Sequence, residues 1–196
     1  MWVIVPERLR RPVCLLALGA LLVAGYLMRG KLTTAEAPDG IISLELAGDA
    51  ETAEKIINSW RALPEGMRHA EQNIVLDLFL FIPAYSTFIG LACLLAERNF
   101  RKGKFGAALG LPWIGTILAW GLTLAALLDI IETLSLWAIL RGPIETRLLA
   151  IAKWCAIVKF ALVFAGLAYT LVGLGYVVIG FVAKIVGRGK VPVSRM

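Results

Sequence analysis

The chain has 196 residues, 59% of them hydrophobic and only 17% charged, with a mean hydropathy of +0.80. Soluble domains are about 45–50% apolar and about 25% charged, so composition excludes an ordinary soluble globule and points to a membrane protein. The formal net charge of +6 accompanies no nucleic-acid-binding motif, and the excess basic residues flank apolar segments, so nucleic acid is not an expected partner.

Four apolar segments follow in chain order, at about 13–30, 73–97, 106–140 and 148–186. A spanning helix needs about 20 apolar residues. The first segment reaches that length only if Tyr26 and Arg29 sit in the interface. The third and fourth are too long for one crossing and too short for two, with Gly142-Pro143 as the strong breaker between them. Each is therefore expected to cross once and continue out of the membrane. A cleaved signal peptide is the rival reading of the first segment, with Ala35-Glu36-Ala37 as the cleavage site. Pro38 would then follow the cut, and the apolar stretch stops well before it, so a retained helix is expected.

Basic residues orient these helices. Arg8, Arg10 and Arg11 precede the first helix. Arg98, Arg101, Lys102 and Lys104 join the second to the third, and Lys184, Arg188, Lys190 and Arg195 follow the fourth. Only Glu7 and Glu97 oppose them, whereas the segment 29–72 is more acidic than basic. By the positive-inside rule both termini are cytoplasmic. The expected fold is all-α: one integral membrane domain, a four-helix bundle whose third and fourth helices extend beyond the outer face.

The outer segment, 31–72, has its own pattern. Residues 41–46, Ile-Ile-Ser-Leu-Glu-Leu, read as a short extended piece. Asp49 is then placed to cap a helix over about 49–63. Ala53, Ile56, Ile57 and Trp60 give that helix one apolar face, which either packs on the protruding helices or lies on the membrane boundary. Pro64-Glu65-Gly66 ends it.

Ionisable residues inside spanning helices are expensive and usually face the bundle interior. The candidates are Asp77, Asp129, Glu132, Lys153 and Lys159. Counted from the cytoplasmic ends, Asp77, Asp129 and Lys159 come to about the same level, roughly 30–38 Å up at 1.5 Å per residue. Lys159, Gly166, Gly173, Gly180 and Gly187 recur every seven residues, close to two turns, and form one stripe. Glycines on a stripe allow close helix approach, so the stripe and Lys159 are expected to face inward. Gly121, Ala125, Asp129 and Glu132 share a face of the third helix. The expectation is a buried Asp77, Asp129, Glu132 and Lys159 cluster with Lys153 at its mouth, serving either to lock helix register or as a functional site.

Pro83 is expected to kink the second helix, opening space beside Tyr85 and Ser86. Trp113, Trp120, Trp137 and Trp154 read as interface anchors and packing groups. Cys14, Cys93 and Cys155 lie in apolar runs without metal or redox spacing and read as small buried hydrophobes. With His69 as the single histidine, no metal or other cofactor is implied.

Certain stretches carry a resemblance: Leu44-Glu45-Leu46-Ala47-Gly48 followed by Trp60, Leu76-Asp77-Leu78-Phe79-Leu80 with Tyr85, Leu128-Asp129-Ile130-Ile131-Glu132, and Lys159-Phe160-Ala161-Leu162. In order and spacing the chain resembles a group of small four-helix bacterial membrane proteins that carry no assigned function. The resemblance implies a bacterial inner-membrane location and the same four-helix plan, and brings no chemistry. Three functional readings remain open. The first is a non-catalytic bundle that binds membrane lipids, another membrane protein or a second copy. The second is an enzyme acting on an amphiphile at the outer boundary, with a carboxylate as general base and Lys159 holding an anionic head group. The third is a small transporter or proton-coupled device.

Overall fold

A computed structural model describes residues 4–102 and 110–188. Among them the regular structure is entirely helical: α1 (Glu7–Met28), α2 (Ile41–Glu45), α3 (Ala50–Arg61), α4 (Gly66–Leu76), α5 (Ile82–Lys102), α6 (Leu111–Arg141) and α7 (Thr146–Arg188). A π-helical turn over Asp77–Phe81 joins α4 to α5. Four helical stretches are long and apolar enough to cross a membrane: Glu7–Met28, Gly66–Arg101, Leu111–Arg141 and Thr146–Val182. The second begins well before the apolar run at 73, and residues 106–109 of the third expected span lie outside the described residues.

The π turn has a local cause. Pro83 has no N–H to give the carbonyl four residues back, and its ring crowds that carbonyl. The helix widens just ahead of it, with the Ile82 N–H bonding the Asp77 carbonyl five residues earlier. Pro83 thus acts through a widened turn that begins at Asp77.

Helices α5, α6 and α7 pack on one another, while α1 lies chiefly against α5. Ile82, Ile89, Cys93, Phe100, Leu122 and Ala125 fill the centre. At the other end of the molecule the segment between α1 and α4 forms a folded cap. Residues 41–46 are not extended: Ile41–Glu45 is a short helix, with the N–H groups of Leu46 and Ala47 bonding the carbonyls of Ile42 and Leu44. An extended piece would have needed a neighbouring strand for its backbone groups, and none is present among the described residues. The turn bonds themselves, and so buries Leu44 and Glu45 on one side.

Asp49 caps α3, its carboxylate accepting from the Thr52 N–H at 2.8 Å. Ala53, Ile56, Ile57 and Trp60 are all buried on the inner face of α3. They pack with Ile74 of α4, Leu136 and Ile139 of α6, and Leu149 and Ala152 of α7. The Trp60 indole N–H donates to the Leu32 carbonyl at 2.8 Å, fastening the connection after α1 to the cap. Behind Trp60 the chain turns sharply. A Cβ at Gly66 would lie 2.0 Å from the Trp60 carbonyl oxygen, so only glycine fits there.

The glycine stripe of α7 divides. A Cβ at Gly166 would meet Ile89 and Leu122 at 2.9 Å, and one at Gly173 would meet Ala96 at 2.5 Å. At Gly180 nothing lies within 4 Å among the described residues. Residues 177–182 are exposed. The inward-facing stripe therefore runs from Lys159 to Gly173, and the Gly187 position lies beyond the described side chains.

Candidate functional site

The site sits where the cap meets the bundle. On α6 the positions Gly115, Ala119, Leu122, Ala125, Asp129, Glu132 and Leu136 are buried in sequence, a single face by helical spacing. Small residues bring α6 close to its neighbours, and the two acids follow where the face reaches the cap. On α7, Leu149, Ala152, Ala156 and Lys159 are buried at the same periodicity. The two faces oppose each other and bring the charges together.

The Lys159 ammonium donates to Asp129 Oδ1 at 2.6 Å and to Glu132 Oε1 at 2.8 Å. Its third partner is Glu45, whose Oε2 lies 3.3 Å away. Glu45 is 7% exposed, Asp129 2%, Glu132 1% and Lys159 6%. Three carboxyl groups thus converge on one ammonium in a largely buried centre. If all three were ionised, two negative charges would be left uncompensated, a costly state at low dielectric. Glu132 Oε2 and Glu45 Oε2 are buried without a hydrogen-bond donor. The Tyr85 hydroxyl is also buried, next to Asp129.

Asp77 reaches the same neighbourhood but does not pair with Lys159. Its Oδ2 accepts from the Thr133 hydroxyl at 2.7 Å. Lys153 forms no ion pair with the cluster among the described residues. Six residues before Lys159, it lies about 240° round the helix at 100° per residue. Its ammonium rests against Gly48, where a Cβ would come within 2.9 Å. Glu45 is the member that sequence reasoning missed, because it comes from the cap and not from a spanning helix. Its signal was a lone acid between Leu44 and Leu46.

Two cavities flank the charges. The first, about 380 Å³, includes Arg29, Asp39, Glu45, Asn73, Asp77 and Lys159 in its lining. The second, about 230 Å³, is apolar, with Leu21 of α1, Phe88 and Ile89 of α5, and Val163 and Leu167 of α7. Phe81, Lys159 and Phe160 line both, so polar and apolar spaces adjoin at Lys159. A third cavity, about 280 Å³, continues between α1 and α7 toward the far end, past Ala92, Leu95, Thr170 and Gly173 to Arg11 and Arg98.

Lys159 is saturated by three carboxyl groups, so it is not free to hold an anionic head group. The arrangement suits a cation or a hydrogen-bond donor. No family model, curated protein or solved structure matches the chain.

Proposed function

We propose that this is an integral membrane protein that binds an amphiphile in the groove between α1 and α7, head group toward the cap and chain along α5. The observation that carries the reading is the shared wall of the polar and apolar cavities at Phe81, Lys159 and Phe160. Ligand sites are typically concave, mostly apolar and fitted with a few placed polar groups. The groove has that make-up, and the loose association of α1 with α7 leaves it a lateral side from which a lipid can enter.

The orientation that goes with this reading has the cap outside. Arg8, Arg10, Arg11, Arg98 and Arg101 belong to the helix ends remote from the cap, which supports cytoplasmic termini. Helices α6 and α7, 31 and 43 residues long, exceed the hydrocarbon thickness of about 30 Å. Their outer ends then stand above the bilayer and carry the cap, which places the charge cluster near the outer boundary. A bacterial inner membrane fits this plan.

The test is retention of lipid. The purified protein, mixed with phospholipid and examined by native mass spectrometry, should hold lipid at defined stoichiometry. Leu167→Trp and Val163→Trp, which fill the apolar cavity, should abolish the adduct while the helical circular dichroism stays unchanged. Undiminished adducts in both variants would overturn the reading.

One observation favours a catalytic version. Asp77 lines the polar cavity and has a single hydroxyl partner, Thr133, as a general base could. Turnover of a membrane amphiphile that is lost in Asp77→Asn and kept in Glu51→Gln, at an exposed position outside the cavity, would establish it.

A further inference from the structure

The binding reading leaves the head group open, and the lining of the polar cavity narrows it. The acids facing that space are Asp39, Glu45 and Asp77, and its bases are Lys159 and Arg29. Lys159 is consumed within the cluster by Asp129, Glu132 and Glu45. The inner wall therefore offers oxygen acceptors without a free cation. Glu45 Oε2, on a side chain only 9% exposed, makes no hydrogen bond beyond its ion pair with Lys159 at 3.3 Å, and the carboxylate of exposed Asp39 has no donor among the described residues.

The rim has the opposite character. Arg29, just after α1, is exposed and its guanidinium has no hydrogen-bond or ion-pair partner among the described residues. Exposed Lys31 lies beside it on the outer surface. A planar guanidinium with free donors is suited to phosphate. The cavity lining thus brings an arginine and three carboxyl groups together.

Resting on the amphiphile-binding reading, we propose that the occupant is a zwitterionic phospholipid whose head carries a primary ammonium next to its phosphate. The ammonium enters among Asp39, Glu45 and Asp77, the phosphate stays at Arg29, and an acyl chain lies in the apolar cavity between Leu21 and Val163. A primary ammonium brings three N–H donors to the Asp39 carboxylate and to the acceptor capacity that Thr133 and Lys159 leave on Asp77 and Glu45. A quaternary ammonium brings none, and a glycerol head brings no charge.

The experiment compares phosphatidylethanolamine, phosphatidylcholine and phosphatidylglycerol of identical chains, titrated into the delipidated full chain in detergent and read by native mass spectrometry. Wild type should prefer the ethanolamine lipid over the other two by roughly tenfold. Asp39→Asn and Asp77→Asn should erase that preference while leaving phosphatidylglycerol binding unchanged. Arg29→Ala should weaken all three lipids alike. Asp39 and Arg29 are exposed, so their variants test the idea even if Asp77→Asn fails to fold. Equal binding of the choline or glycerol lipid by wild type would overturn the head-group assignment and leave lipid binding standing. Absence of any phospholipid adduct would overturn both. Full competition by water-soluble glycerophosphoethanolamine would show a free head group as ligand and overturn the lipid assignment.

Discussion

The Lys159 ammonium lies 3.3 Å from the Glu45 carboxylate, which ties the middle of the last helix to the short α2 of the cap. The contact couples two parts of the chain that pack around different apolar cores. Glu45 ends α2 with its carboxylate buried, so the cap cannot lift off without exposing Lys159 and leaving its charges rearranged. Cap and bundle are thus held by apolar burial around Trp60 and by one shared ammonium.

Lys159→Met should therefore do more damage than its removal of one side chain suggests. It leaves Asp129, Glu132 and Glu45 crowded without a counter-charge. Breaking a buried pair by deleting one partner costs about 3–5 kcal/mol. Combining it with Asp129→Asn and Glu132→Gln should restore much of the loss, since fewer unpaired charges then remain buried. Thermal melts of the single and combined variants in detergent check this. A Lys159→Met protein as stable as wild type would show that the cluster contributes no net stability.

The pairing of Asp129 and Glu132 with Lys159 was legible in the sequence, because helical spacing and depth along each span decide which faces can meet. Glu45 was not. It belongs to a five-residue helix that exists through its contacts with α6 and α7, and no periodicity within 41–46 announces a helix so short. Asp77 was expected within the ion-paired cluster, but the π turn ahead of Pro83 and the neighbouring Thr133 hydroxyl decide its partner, and neither is written in a charge count. The glycine repeat was legible as a stripe, yet sequence does not say where a neighbouring helix ends.

That ending gives the second prediction. Gly173→Ala puts a Cβ 2.5 Å from that of Ala96, so the helices must shift. Overpacking of this kind typically costs about 1–3 kcal/mol. Gly180→Ala meets nothing among the described residues and removes a poor helix former, with a gain of up to about 1 kcal/mol. Melting temperatures should move in opposite directions. Two equal losses would mean that Gly180 also sits at a helix contact.

Asp49 should make the cap sensitive to acid. The Thr52 N–H and hydroxyl both donate to its carboxylate, holding it below the ordinary carboxylate range. A group whose affinity for protons falls on folding stabilises the fold above its unfolded value, near 3.9, and loses that contribution as pH falls through the folded value. Amides at the start of α3 should exchange faster at pH 3 than the pH dependence of intrinsic exchange explains. Asp49→Ala should show the faster exchange already at neutral pH, with no further excess on acidification. Identical behaviour of the two proteins across that range would remove Asp49 as the cause.

The orientation is open to a direct test. The two ends of the bundle differ in charge: the helix ends remote from the cap carry Arg8, Arg10, Arg11, Arg98 and Arg101, opposed by Glu7 and Glu97, both of which are paired there, with Arg98 and Arg101 respectively. Basic residues are held on the cytoplasmic side during insertion, whereas acids contribute little to that choice. The cap, where acids outnumber bases, should then face outward. Glu51 is a suitable probe because its side chain is 79% exposed on α3. With Cys14, Cys93 and Cys155 replaced by alanine, a cysteine at Glu51 should react with a membrane-impermeant maleimide on intact cells, and a cysteine at Lys102 only after permeabilisation. The reverse pattern would place the cap and its carboxylate cluster on the cytoplasmic side, and the amphiphile would then have to come from the inner leaflet.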